Sequence, residues 1–501
     1  MIAVEHRRVP AIWILIGLSL FLFFFRLGDR SFRNPDEGRY AEIAREMVLR
    51  GDWVEPRLYG IDYLRKPPLF YWLVGGSFKL LGFSEWAARA VPALFGFFGV
   101  LATYFFTKRF FGARSAIFSG FLLASNPWYL NMGRYLLTDM VFSFFIVGAF
   151  YLFFIWTREE RGSKKAGGFF LLAVTSTALA FLTKGLAGIV LPVSGVFFYL
   201  VLTGQLRSYF SKNHLFSGVI LFAGIVLPWL VSVSLREKEF LSFFFLHEHF
   251  KRFLSKDFEH QAGWHFYFWV LPVIFVPLIL FPGPLKKSFS FLKRGPEDHP
   301  RFFLMVCAMS VVLFYSFSSS KLPTYILPAV VLFSILIADG WSRWEHSHVR
   351  ALFGGIVAVF CAASLITVAV MENVNSNYTT RSFAETLNVR LKGSAARVFI
   401  YDHPGAFYDF EFYLGRPVKL VGLEGELKLS RDDEEVLEAS ITHEEFKMIL
   451  RGPESVYCLM RKSDYLGWDP KDRERVHILK EDPRKLLIAN LAALSQHGGV
   501  R

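Results

Sequence analysis

Apolar runs of about 15 to 22 residues, parted by short polar clusters, fill the chain from position 11 to position 371, a spacing that predicts membrane-spanning helices. They lie at 11–25, 86–107, 114–131, 139–156, 166–183, 185–203, 215–235, 264–282, 302–318, 322–340 and 351–371, about eleven spans. The first follows Arg7 and Arg8 without a small-x-small cleavage site after it, so it reads as a retained helix. The run LFYWLVGGSFKLLG at 69–82 differs: at ~1.5 Å per residue it reaches about 21 Å, short of a ~30 Å hydrocarbon core. It reads as interfacial or re-entrant.

With that run left out, Lys108/Arg109/Arg114, Arg158/Arg161/Lys164/Lys165, Arg207/Lys212, Lys286/Lys287/Lys293/Arg294 and Arg343/Arg350 all fall on the side of Arg7 and Arg8, the cytoplasmic side by the positive-inside rule. Loops 28–68, 132–138, 236–263 and 318–321, together with Lys184 and everything after 372, fall on the opposite face. From Asn373 the pattern becomes that of a small α/β domain, with strands expected in ARVFIYD, RPVKLVG, SVYCLMRK and RVHILKE and a helix in AFYDFEFYL. The expected architecture is an α-helical polytopic membrane protein. Its transmembrane domain covers 1–372, with loop and amphipathic helices at 28–82 and 236–263, and an extracytoplasmic α/β domain covers 373–501.

Composition fits lipid as the solvent: 53% of residues are hydrophobic and 18% aromatic, 57 of them Phe, more than a soluble core uses. The formal charge of +13 sits in short clusters between apolar runs instead of on one basic face, which excludes nucleic acid as the partner. Cys307 and Cys361 lie in apolar runs and Cys458 in the polar tail, so no disulfide is expected. Gly-rich phosphate loops and nucleotide fingerprints are absent from the sequence.

The unusual polar residues gather in the loops of one face. In NPDEGRYAEIAREMVLRGDW, Asn34 is placed to cap a helix, Pro35 to be its first residue and Glu37 to close a capping box. Tyr40, Ile43, Ala44, Met47 and Val48 then make one apolar stripe, a helix able to lie along a membrane surface. Asp36 and Glu37 either complement the helix dipole or serve chemistry, and Tyr63, Arg65 and Lys66 follow before Pro67 and Pro68. Asp139 sits at a membrane edge, where an acid is expensive to keep; it is read as functional, with an ion pair to Arg134 as the alternative. Lys66, Lys184, Arg252 and Lys321 could bind a phosphodiester or snorkel to the interface, and Tyr63 and Tyr325 could line a cavity. His247, Glu248 and His249 lack the H-E-x-x-H spacing of a helical zinc site.

DEGRYAEIAREM with GDWVEPRLYGIDYLRKPPLFYW, SEWAARAVPAL, RYLLTDM, LTKGLAG, EHFKRF and KLPTYILP occur in an order that resembles the GT-C superfamily of polyprenyl-phosphate-sugar glycosyltransferases. The likeness is to the group of lipid A aminoarabinose transferases and their protein mannosyltransferase-like relatives. It implies about 11 to 13 transmembrane helices, with Asp36 and Asp139 catalytic. Glu37, Arg39, Tyr63, Arg65, Lys66, Lys184, His247, His249, Arg252, Lys321 and Tyr325 would bind substrate. The implied partners are a polyprenyl-phosphate sugar donor and a lipid or glycolipid acceptor such as lipid A, met by a monomer at the periplasmic face of a bacterial inner membrane. No cofactor is implied with certainty; some relatives use a divalent ion, for which Glu37, His247 and His249 are the available side chains.

One position departs from that group: Arg65 stands where many of its members have an acid. With Arg65 in place of that acid, a cationic sugar near Lys66, Lys184 and Arg252 would cost Coulomb energy, so a neutral or uronic-acid donor ranks above aminoarabinose. The remaining readings are a protein O-mannosyltransferase-like enzyme and a lipid-linked-sugar transporter or flippase. The latter usually shows repeated halves with broken helices at the midplane, and such symmetry is not visible here.

Overall fold

The computed structural model describes residues 10–209, 212–251, 261–375, 377–391, 396–422, 436 and 438–495. Two compact units emerge, one of residues 1–27, 65–70 and 89–368 and one of residues 28–64, 71–88 and 369–501.

The first unit is helical. Every apolar run expected within it forms helix, and among the described residues seven helices of the chain are long and apolar enough to cross a membrane: Glu85–Phe111, Thr138–Arg158, Lys164–Lys184, Leu215–Arg236, His299–Phe317, Pro323–Ser342 and Val349–Met371. Ala11–Phe24, Ala113–Ser125 and Ala187–Leu202 are shorter apolar helices. Two expected runs are broken by proline. Run 114–131 divides at Asn126, whose side chain accepts from the N–H groups of Trp128 and Tyr129 and starts a new helix at Pro127. Run 264–282 yields only Phe266–Ile274 before Pro277 and a 3-10 turn.

Helices in lipid gain little from the hydrophobic effect against one another, so close backbone approach matters. Gly188 shows it: a Cβ there would lie 2.3 Å from the Phe181 nitrogen, so only glycine lets the Ala187–Leu202 helix turn back against Lys164–Lys184. This tight hairpin fixes Lys184 at its tip. Aromatic rings in edge-to-face and tilted contact, such as Phe154, Tyr199 and Phe303, fill the interior.

The second unit holds the Asp36–Arg50 helix, whose buried face includes Tyr40, Ile43, Ala44 and Met47 of the expected stripe. It ends at Gly51, where a φ of 72° favours glycine. Strands β1 (Arg57–Leu58) and β2 (Ile61–Asp62) then pair antiparallel around Tyr59 and Gly60, both at positive φ, the signature of a twisted two-residue hairpin turn. Strained Tyr59 is anchored by its hydroxyl, which donates to the Phe407 carbonyl at 2.9 Å. The run at 69–82 forms a helix, Leu69–Leu81, of 13 residues, too short to span.

C-terminal strands β3 (Arg397–Tyr401), β4 (Lys419–Val421), β5 (Ser440–Ile441), β6 (Val456–Arg461), β7 (Val476–Glu481) and β8 (Lys485–Asn490) form one sheet in the order β5-β4-β3-β6-β8-β7. β5, β4, β3 and β6 run parallel; β8 pairs antiparallel with β6 and β7. The four expected strands are β3, β4, β6 and β7. Strand β8 escapes a pattern-based reading because KLLIAN is buried along its whole length and shows no alternation.

Candidate functional site

In the second unit, Asp36 opens its helix with a side chain 52% exposed, and one carboxylate oxygen takes a 2.5 Å ion pair from Arg39. Arg39 lies over the rings of Tyr40, Tyr63 and Tyr408, at 5.3, 5.7 and 6.0 Å, so its guanidinium is held by aromatic faces on several sides. The result is an aimed carboxylate, and its second oxygen has no partner among the described residues.

The helix start differs from expectation. Asn34 does not cap it. Its amide instead bonds Asp409, donating to the carboxylate and accepting from the Asp409 N–H at 3.1 Å. Asp409 also accepts from the Thr379 hydroxyl at 2.7 Å and from the Thr380 N–H and hydroxyl at 2.9 and 2.8 Å. Burial pushes this carboxyl above the ordinary range against the pull of those donors. Glu37 is buried and engaged with the Arg30 guanidinium at 3.3 Å and the Arg33 N–H at 3.1 Å. That places it as a fixed support for the Asp36 turn.

A buried trio with no signature in sequence joins Glu42 and Glu46, six and ten positions after Asp36 on the same helix, to Glu411 of Phe410–Leu414. Carboxylate oxygens of Glu42, Glu46 and Glu411 lie within 4.8 Å of one another. Arg45 grips Glu42 with bonds of 2.8 to 3.2 Å and reaches Glu411 at 3.5 Å, while Arg50 pairs with Glu46 at 3.3 Å. Three acids against two guanidiniums leave one negative charge in excess, and burial pushes all three carboxyls up. The Arg45 fork holds Glu42, while Oε2 of Glu411 has no hydrogen-bond partner among the described residues.

In the helical unit, Asp139 lies in the first turn of Thr138–Arg158 and pairs with Lys184 Nζ at 2.8 Å. The ammonium also sits over Tyr325 at 4.8 Å and Phe142 at 5.4 Å. Asp139, Lys184 and Tyr325 therefore form one group. Arg134, the alternative partner, donates to the carbonyls of Leu22, Phe23 and Phe25 at the end of the first helix. Lys321 donates to the carbonyls of Ser318 and, at 3.0 Å, Ala262. Lys66 is half-buried beside Pro67.

Arg65 has a partner that proximity in sequence could not reveal: Glu248, 3.4 Å away and buried. His247 lies 3.7 Å from the same carboxylate oxygen and stacks on Phe243. These residues sit on Ser242–Lys251, a π-helix. The side chain of His249, and Arg252 altogether, lie outside the described residues.

Among the described residues, a divalent ion does not fit Glu37 or His247, two of the three side chains proposed for it. Glu37 is already neutralised by Arg30, and the Glu248 carboxylate beside His247 already carries Arg65, whose guanidinium would repel a dication. The buried trio has ligand-like spacing but is threaded by Arg45 and Arg50.

The protein family described as dolichyl-phosphate-mannose-protein mannosyltransferase matches residues 31–244. An undecaprenyl phosphate-alpha-4-amino-4-deoxy-L-arabinose arabinosyl transferase of Yersinia enterocolitica is 31% identical over 377 residues, 71% of this chain and 65% of that protein. One of Aeromonas hydrophila is 30% identical over 369 residues, 71% of this chain and 66% of that protein. The matched region thus spans just under two thirds of these relatives' length. Among solved structures, ArnT from Cupriavidus metallidurans bound to undecaprenyl phosphate superposes with a TM-score of 0.81 at 24% identity, covering 98% of this chain and 99% of that one. The archaeal oligosaccharyltransferase AglB from Archaeoglobus fulgidus superposes with a TM-score of 0.54 at 15% identity, covering 81% of this chain and 63% of that one.

Proposed function

The chain belongs to the GT-C superfamily of membrane glycosyltransferases, and from that premise we propose that it moves a sugar from a polyprenyl-phosphate donor to an extracytoplasmic acceptor, lipid A or another envelope glycolipid. The observation that carries this reading is Asp36: a half-exposed carboxylate fixed at 2.5 Å by an arginine that is itself held over tyrosine rings. A helix-dipole acid needs no such clamp.

On this reading Asp36 orients or deprotonates the acceptor, which attacks the anomeric carbon from the face opposite the leaving phosphate and inverts it. A phosphate acceptor needs mainly positioning; a hydroxyl needs a base. Lys184, aimed by Asp139, and the cations Lys66 and Arg252 serve the charge that grows on the departing polyprenyl phosphate. A lipid carrier also accounts for a sequence without nucleotide motifs.

The donor sugar needs one revision. Glu248 neutralises Arg65, so the Coulomb penalty argued from Arg65 against a cationic sugar largely cancels, and aminoarabinose, the sugar named for the Yersinia and Aeromonas proteins, stands level with a neutral or uronic-acid donor. Proteoliposomes holding Asp36→Asn, given labelled polyprenyl phosphosugar and envelope lipid, test the proposal. Transfer should fall by about a hundredfold or more with insertion unchanged; near wild-type transfer would return Asp36 to dipole complementation.

A further inference from the structure

Strand order reverses at β3 in the C-terminal sheet: the chain leaves β3 for β4 on one side, and β6 comes to lie on the other, all three parallel. In open parallel sheets the carboxyl ends at such a switch point form the ligand crevice. A cleft of about 460 Å³ lies there, within the range of small-ligand sites, lined by Gly405 after β3, Lys462 after β6, and Tyr378, Arg484, Asn34 and Pro35. Its last two lining residues stand immediately before Asp36. The described residues of its lining include no acid.

Most cations here already have partners. Arg461 is bound by Asp464, Lys462 by Glu481, and Lys485 by two carbonyls and Asp482. Arg484, in the lining, and Arg33, which lies outside the lining but directly precedes its residue Asn34, are the exceptions. Both guanidiniums lie over the Tyr378 ring, 4.7 and 5.2 Å from its centre, and neither has a carboxylate partner among the described residues. Contact with a shared ring holds both guanidiniums beside the cleft, and guanidinium forks match the oxygens of a phosphate.

The geometry points to this cleft as a docking site for the phosphorylated saccharide headgroup of the acceptor, gripped by Arg33 and Arg484. Its place next to Asp36 favours the acceptor's phosphate over the donor's, a choice that rests on the acceptor-side role proposed for Asp36.

The test is binding of the full-length protein to phosphatidylethanolamine vesicles carrying bisphosphorylated lipid A, the same glycolipid dephosphorylated, or undecaprenyl phosphate. Arg33→Ala/Arg484→Ala should weaken binding to the bisphosphorylated vesicles by about ten- to hundredfold, leave undecaprenyl phosphate binding unchanged and keep the melting temperature. Arg33→Lys/Arg484→Lys, which keeps charge but not the forks, should fall between. Undiminished binding by the alanine pair, equal binding of the dephosphorylated lipid, or a parallel loss for undecaprenyl phosphate would each overturn the inference. Loss of glycosyl transfer with every donor while these binding differences persist would sink the transferase reading and leave the docking site standing.

Discussion

Lys184 and Asp139 pose the sharpest question at the residue scale, because a buried ion pair can be mere architecture. Lys184→Met alone strands a carboxylate that is 9% exposed and should cost on the order of 3 kcal/mol, seen as a lower melting temperature in detergent. Lys184→Met with Asp139→Asn removes both charges and should restore the melting temperature while transfer stays below a hundredth of wild type. Recovery of both would reduce the pair to a structural clip. Asp36, Asp139 and Lys184 stand out in the sequence as candidates because each is a charge in a place where lipid or a helix start makes charge conspicuous. Their partners were legible to different degrees. Arg39 is three residues from Asp36, a spacing a helix turns into contact, whereas Lys184 is 45 residues from Asp139 and Glu248 is 183 from Arg65. No local periodicity encodes those meetings.

The Asp36–Arg50 helix is welded to Phe410–Leu414 through Glu42, Arg45, Glu46 and Glu411, and this weld predicts a direction of pH response at the scale of elements. Burial holds the Glu411 carboxyl well above its ordinary value and Glu42 at about 7. Folded pKa values above the unfolded ones mean that the folded state holds more protons, so this stability is fully present below the ordinary Glu range and is lost as pH rises through about 7. Melting temperature should therefore be higher at pH 5 than at pH 8, opposite to the trend of carboxylates held by salt bridges, and Glu411→Gln should flatten that slope and raise the pH 8 value. A second weld, Asp409 with Asn34, Thr379 and Thr380, predicts that Asp409→Ala costs about 3 kcal/mol or more, because several buried donors lose their acceptor at once. The sequence located this helix and its apolar stripe well. It misread Asn34 as a cap, since a capping motif looks the same whether the amide turns back to its own helix or outward to a distant carboxylate.

For the whole molecule, the even spacing of apolar runs and their Lys/Arg parity predict a C-terminal region outside the cytoplasm. An alkaline phosphatase fused after residue 501 should be active and a green fluorescent protein in its place dim; the opposite pattern would mean that the short helix Leu69–Leu81 spans after all. Fold class was readable from hydropathy alone, but where proline breaks a span was not, because the 114–131 and 264–282 runs look continuous by hydropathy and divide only through Asn126–Pro127 and Pro277. The central claim is group transfer from a lipid carrier, and it is tested most directly by giving the purified chain a panel of polyprenyl phosphosugars with native envelope lipid and reading the product by mass and anomeric configuration. The account predicts one sugar added to the acceptor lipid with the anomeric centre inverted and polyprenyl phosphate released. Intact lipid-linked sugar carried across the bilayer, with no new product from any donor, would contradict it.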